Sequence, residues 1–176
     1  VARSPGFVPE GAVFFVAELA SGAPPAEYVA GKQGASRTQA VVHVAAGVAA
    51  ALEHMHAVGL LHRDVKPANV RVDAGGRVKL LDLGLACVRT SVNDVSGTPH
   101  YMAPEAFMGT FDARTDLYAL GALLYELWCG QPPFVAGDAR ALVRAISTAP
   151  LRSLRVCDPE APASIERLVA TLRKAA

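Results

Sequence analysis

The chain has only three cysteines in 176 residues, Cys87, Cys129 and Cys157, and no two of them stand at a metal-knuckle spacing. That scarcity argues against a disulfide framework or a zinc site and predicts free thiols in a reducing compartment. Neither sign of charge is in excess: 17 Lys and Arg face 16 Asp and Glu, for a formal net charge of +1. No basic footprint therefore points to nucleic acid. No apolar stretch runs unbroken for the roughly 20 residues a membrane span requires, because Glu18, His43 and Glu126 interrupt the longest ones. A basic-then-apolar leader, an internal repeat and a low-complexity linker are all missing. The first residue is Val1, not Met, so the sequence reads as a piece of a longer protein, with a cytoplasmic location expected. What is present is an apolar majority: 52% hydrophobic residues, enough for one domain with a sizeable core.

Residues 12–19 (AVFFVAEL) form a short apolar run that reads as a buried strand. A turn follows, and Pro25 suits the first turn of a short helix through Tyr28 and Val29. Glycines at 31 and 34 break that helix. Ser36 and Gln39 stand at capping-box spacing. Beyond them Val41, Val44, Ala45, Val48, Leu52 and Met55 recur at helical period, predicting a long amphipathic helix to about His56, ended by Gly59. Residues 60–61 and 70–72 are brief strand candidates, and Pro67 should keep the loop between them from becoming helix. Residues 73–76 read as a hairpin turn with residues 78–81 as the return strand; no helix follows the glycine pair, which favours a turn over a phosphate cradle there. Residues 85–96 lack any period and read as an exposed, mobile loop. Residues 114–129 form a helix apolar on most faces, which belongs inside the domain. Asp138 should cap a helix over 139–147, and Ser164 a last helix to Lys174.

The chemistry concentrates in one run, His62-Arg63-Asp64-Val65-Lys66-Pro67-Ala68-Asn69, followed by Asp82 in Leu81-Asp82-Leu83-Gly84. Asp64 can take or orient a hydroxyl proton, Lys66 can face a phosphate, and Asn69 with Asp82 supplies two hard oxygen ligands for a divalent cation. Phosphoryl transfer asks a protein for that combination. Further on, residues 97–105 read Gly-Thr-Pro-His-Tyr-Met-Ala-Pro-Glu. In these motifs, their order and their spacing, the chain resembles the eukaryotic-type protein kinase family, in its serine/threonine branch and with a bacterial-like composition. The resemblance runs from about residue 14 to the C-terminus.

The resemblance implies an α+β fold: the mainly helical large lobe of a protein kinase, with short β-hairpins at the catalytic and metal-binding loops. Residues 1–22 would be the end of the small lobe and the hinge, and residues 23–176 the large lobe. It implies Asp64, Lys66, Asn69 and Thr98 as catalytic residues, with Thr98 touching both Asp64 and Lys66. Asn69 and Asp82 would hold Mg2+ or Mn2+ against the phosphates of ATP. Ala17, Glu18 and Ala20 would meet the adenine, with Ala17 as a small gatekeeper that leaves an apolar recess. Lys66, Arg71 and Asp82 would complete the nucleotide contacts. Arg63 would couple the loop to a phosphorylated activation segment, whose available hydroxyls are Thr90, Ser91 and Ser96. His62, Leu83, Glu105 and Asp116 would be structural, Asp116 by anchoring the catalytic-loop backbone; His56, near the end of the long helix, would have a structural hydrogen-bonding role.

Several positions depart from the family pattern. Leu83 replaces a phenylalanine, and Arg71 stands where an apolar residue usually underlies the adenine; its guanidinium can stack on an aromatic ring or turn to solvent. Glu105 has no evident partner, since the arginine that pairs with it in the family is not found and Arg173 and Lys174 come too early. A Gly-rich loop, a strand lysine and a helix glutamate are not found before the hinge; the small lobe carrying them is expected upstream, and the segment alone is expected to be inactive. The leading reading is a serine/threonine kinase acting on protein substrates. The alternatives are a catalytically inactive kinase-like binding module and a small-molecule phosphotransferase, the latter disfavoured by residues 97–105.

Overall fold

The structure is a computed structural model that describes residues 19–82, 87–88 and 98–174. Pro25 opens the short helix α1, Pro25–Val29, where its missing N–H costs nothing. The long helix α2 spans Gly34–Ala57 and buries Val41, Val44, Val48 and Leu52 along one stripe. It starts before the expected capping box: Gln33 takes the cap position without a side-chain bond, and Ser36 lies inside the first turn. The reason is tertiary. The Arg37 side chain donates to the Trp128 carbonyl and pairs with Asp158 at 3.3 Å, drawing the first turn into helix.

Among the described residues two antiparallel ribbons carry the loops. Strand β1, Leu60–Leu61, pairs with β4, Cys87–Val88, which falls within the stretch expected to be an irregular loop. Strand β2, Val70–Val72, pairs with β3, Val78–Leu80, with Arg71 opposite Lys79. The Leu81 N–H donates to the Asn69 carbonyl at 2.7 Å, so pairing extends past the strand ends toward Asp82. Pro67 does not abolish helical structure; it opens a single 3₁₀ turn, Pro67–Asn69, as its first residue. Gly47 lets α2 approach this ribbon: a Cβ there would lie 2.4 Å from the Val78 Cβ.

Helix α3, Ala113–Cys129, runs through the centre and buries twelve residues, Tyr118, Leu123 and Leu124 among them. Burying a leucine such as Leu123 or Leu124 stabilises the fold by about 1.5–3 kcal/mol. The helix begins one residue before expectation because Asp112 and Thr115 form a reciprocal capping box. Helix α4, Ala139–Thr148, is capped by Asp138, whose Oδ1 accepts from the Ala141 N–H at 2.8 Å. It packs Leu142 and Ile146 on Ala103, Tyr118 and Phe134. Helix α5, Ala163–Lys174, lies against α3 and starts before Ser164, with the Pro162 carbonyl accepting the Ile165 and Glu166 N–H groups.

One expectation fails here. Cys129 and Cys157 are not free thiols; they are joined in a disulfide with Cα atoms 5.3 Å apart. Separated by 28 residues, they meet only because α3 and the 3₁₀ turn Leu154–Val156 pack together. By length and composition α2 is apolar enough to cross a membrane, a test that the buried core helix of a globular domain also passes. In this fold its apolar stripe joins the core shared with α3 and α5.

Candidate active site

The loop from His62 to Asn69 hangs on one carboxylate. Asp116 in the first turn of α3 is 1% exposed. Its Oδ1 accepts from the Arg63 N–H at 2.8 Å, and its Oδ2 accepts from the His62 N–H at 3.0 Å. His56, near the end of α2, places Nε2 2.7 Å from the same Oδ2. Two successive N–H groups can converge on one acceptor only if the chain turns sharply, and Arg63 takes the left-handed conformation with φ 67°. Asp82 is the other non-glycine residue with positive φ among the described residues, at 64°. Such conformations cost on the order of 1–3 kcal/mol each and cluster at functional sites. The Arg63 guanidinium lies 3.9 Å from the Phe111 ring centre.

His62 is fully buried. Its Nε2 lies 3.0 Å from the Leu81 carbonyl, which can only accept, while its Nδ1 takes the Asp64 N–H at 3.3 Å. The proton therefore sits on Nε2 and the ring is a fixed structural bridge between the loop and the end of β3.

Around Asp64 the polar groups close into a compact set. Lys66 Nζ lies 2.6 Å from Asp64 Oδ2 and donates to Thr98 Oγ1 at 2.8 Å. Thr98 Oγ1 in turn donates to Asp64 Oδ1 at 2.8 Å. Asn69 Nδ2 reaches both the Asp64 carbonyl and its Oδ2 at 2.9 Å. Burial of Asp64 by itself pushes its pKa up, but the bonds from Lys66, Thr98 and Asn69 and the Lys66 charge prevail and hold it below the usual carboxylate value. Asp64 is thus ionised at neutral pH and 7% exposed, with both carboxylate oxygens hydrogen-bonded.

Other expected site residues fall as follows. Arg71 folds back, its Nη1 donating to the Ala68 and Val70 carbonyls at 3.0 and 2.9 Å. Ala20 is half-buried at the start of the described chain, and Asp82 is exposed at the end of the β2–β3 ribbon. Glu105 is not without a partner: the Thr115 hydroxyl donates to its Oε1 at 3.4 Å. Arg173 stacks instead on the rings of Phe134 and Tyr118, at 4.6 and 5.4 Å. Ala17, Glu18, Leu83, Thr90, Ser91 and Ser96 lie outside the described residues. Sequence reasoning missed the pairing of the Tyr101 hydroxyl with Glu126 of α3, which with burial drives the Tyr101 pKa strongly upward. Only the 25-residue separation hid it, since nothing local marks the contact. Among the described residues no cluster of three or more His, Cys, Asp or Glu could hold a metal. A cation here would need the amide oxygen of Asn69.

A family model described as "Protein kinase domain" matches residues 6–171. The chain belongs to the protein kinase family. Among similar kinases is the DNA damage-responsive serine/threonine-protein kinase RqkA of Deinococcus radiodurans, 39% identical over 71% of this chain and 20% of that protein. Another is a probable serine/threonine-protein kinase of Clostridium perfringens, 43% identical over 66% of this chain and 19% of the relative. A third is the serine/threonine-protein kinase PknB of Mycobacterium leprae, 43% identical over 57% of this chain and 17% of its relative. The kinase segment thus spans about a fifth of the length of the relatives it matches. Protein kinases as a family use ATP and Mg2+.

Proposed function

We propose that the segment is the large lobe of a serine/threonine protein kinase that transfers the γ-phosphoryl group of ATP to Ser or Thr hydroxyls of protein substrates. The observation that carries this reading is the closed set of Asp64, Lys66 and Thr98, with Asn69 bonded to Asp64 from the other side. Asp64 accepts the hydroxyl proton at a carboxylate oxygen as the hydroxyl oxygen attacks the γ-phosphorus and ADP leaves. Lys66 sits where it can counter charge on the transferring group, and Thr98 holds it beside Asp64. A lysine two residues after the aspartate favours the serine/threonine class, as does the class of the similar kinases.

Asn69 and Asp82 offer hard oxygens suited to Mg2+ or Mn2+. The Asn69 amide nitrogen is committed to Asp64, which leaves its oxygen as the ligating group. The bound metal would neutralise charge on the ATP phosphates. Glu18 and Ala20 would offer backbone groups to the adenine, with Ala17 behind it and Arg71 and Leu83 beneath and beside the site. Arg63 would read phosphorylation of Thr90, Ser91 or Ser96. His62, Glu105 and Asp116 support the loop. A Gly-rich loop and a strand lysine, expected upstream, would position the phosphates, so turnover is a property of the full-length protein.

In that full-length protein Asp64→Asn should lower turnover on the order of 10²–10⁴-fold with ATP affinity near that of the parent. Asp82→Asn should weaken Mg2+-dependent ATP binding. Calorimetric titration of both separates the roles; equal loss of ATP affinity in the two variants would sink the assignment. A parent protein that binds no nucleotide would favour the binding-module reading.

A further inference from the structure

We infer that Cys129 and Cys157 form a reversible thiol–disulfide couple at the surface, with Cys157 as the entry thiol and Cys129 as the resolving thiol. The geometry allows the bond without backbone movement: the Cα atoms are 5.3 Å apart, inside the range that disulfides occupy. Three features distinguish this pair from a permanent staple.

First, it is open to solvent. Cys157 is exposed, in a turn where Arg155 and Val156 are exposed as well, while Cys129 is half-buried and followed by exposed Gly130 and Gln131. A thiol or thiolate reagent can reach the sulfur of Cys157 without unfolding the domain.

Second, the backbone on each side is held by other bonds. The N–H groups of Cys157 and Asp158 both donate to the Leu154 carbonyl at 2.9 Å. The Gly130 N–H donates to the Glu126 carbonyl at 2.7 Å, fixing the end of α3 next to Cys129.

Third, Arg37 clamps the same two segments. It donates to the carbonyl of Trp128, the neighbour of Cys129, and pairs with Asp158, the neighbour of Cys157; its guanidinium also lies 4.8 Å from the Trp128 ring centre. When the sulfurs separate, this clamp keeps the two thiols facing one another. Closure is then intramolecular and outruns capture of a second external thiol.

The chemistry balances with a low-molecular-weight disulfide as oxidant. The Cys157 thiolate attacks one sulfur of that disulfide, forming a mixed disulfide and expelling one thiolate. The Cys129 thiolate then attacks the Cys157 sulfur, forming the protein disulfide and expelling the second thiolate. Two protein thiols lose two protons and two electrons, and the external disulfide is reduced to two thiols. A dithiol reverses both steps. Nothing in this depends on the kinase reading, so the two can fail separately.

The test uses the full-length protein, kept native, with glutathione disulfide as oxidant, dithiothreitol as reductant, and tryptic mapping after alkylation. Oxidation should link the peptide of residues 115–140 to that of residues 156–167, and dithiothreitol without denaturant should release both. In Cys129→Ser, Cys157 should hold glutathione as a stable mixed disulfide. In Cys157→Ser, Cys129 should take up glutathione several-fold more slowly. Absence of the linked peptide after oxidation overturns the couple. A link that dithiothreitol opens only after denaturant is added shows a permanent staple and overturns reversibility. Equal or faster glutathione uptake at Cys129 overturns the order of attack.

Discussion

The two ends of α3 do different work. At its N-terminal end Asp116, almost fully buried, receives two backbone N–H groups and the His56 ring. The loop it holds includes a residue forced into left-handed backbone. At its C-terminal end the fastenings are partly exposed: Arg37 on the Trp128 carbonyl and on Asp158, and the Cys129–Cys157 bond. The first end aims the loop that carries Asp64, Lys66 and Asn69 and has no substitute if it fails. The second end fastens helices that already share a core, and its bonds overlap. A single helix can thus be rigid for two unrelated reasons, and the burial of its polar contacts tells them apart.

The contrast breaks most visibly at Asp116. Asp116→Ala leaves two buried N–H groups without an acceptor and should cost about 3–5 kcal/mol in urea unfolding. Asp116→Asn, which retains an acceptor oxygen, should cost less. A loss under about 1 kcal/mol for Asp116→Ala would show that the loop does not hang on this carboxylate. At the opposite end, Arg37→Met should cost only about 1 kcal/mol, because both partners remain near water. ATP affinity in the full-length protein should not change. A large drop in that affinity would merge the two ends into one functional unit.

The smallest effect is a titration. The Asp64 pKa is held below the usual carboxylate value by Lys66, Thr98 and Asn69 against the opposing push of burial. A lowered native pKa means that stability from this group is present above the unfolded value and is lost as pH falls through the native one. Carbon-13 NMR of the Asp64 carboxyl should show a midpoint below that of an unperturbed aspartate, and Lys66→Met should move it upward. A parent midpoint above the unfolded value would show that burial prevails over the hydrogen bonds.

Much of the architecture was legible because it is local. The residues of the loop lie within eight positions of sequence, and the helices announce themselves by period, so the approximate positions of α2, α3 and α4 followed from apolar spacing and caps. The starts of α2 and α5 were misplaced because Arg37 and Pro162 set them, through a distant carbonyl in one case and a local backbone acceptor in the other. The Asp112–Thr115 cap was readable as a motif and passed over. The Cys129–Cys157 bond, the Tyr101–Glu126 pair and the Thr115–Glu105 contact were invisible, since each joins segments whose meeting only the packed fold decides.

Gly47 shows how far a site extends beyond its chemistry. The ribbon that ends beside Asn69 and Asp82 rests on α2 at a point where a methyl group would sit about 1 Å inside ordinary contact with Val78. A displacement of about that size at the reacting groups costs on the order of 10²-fold in rate. Position 47 sets the spacing between α2 and the Val78 end of the ribbon, whose opposite end, Val70 and Leu80, adjoins Asn69 and Asp82. In a random library its substitutions would sort with the inactive variants while the helix around them still formed.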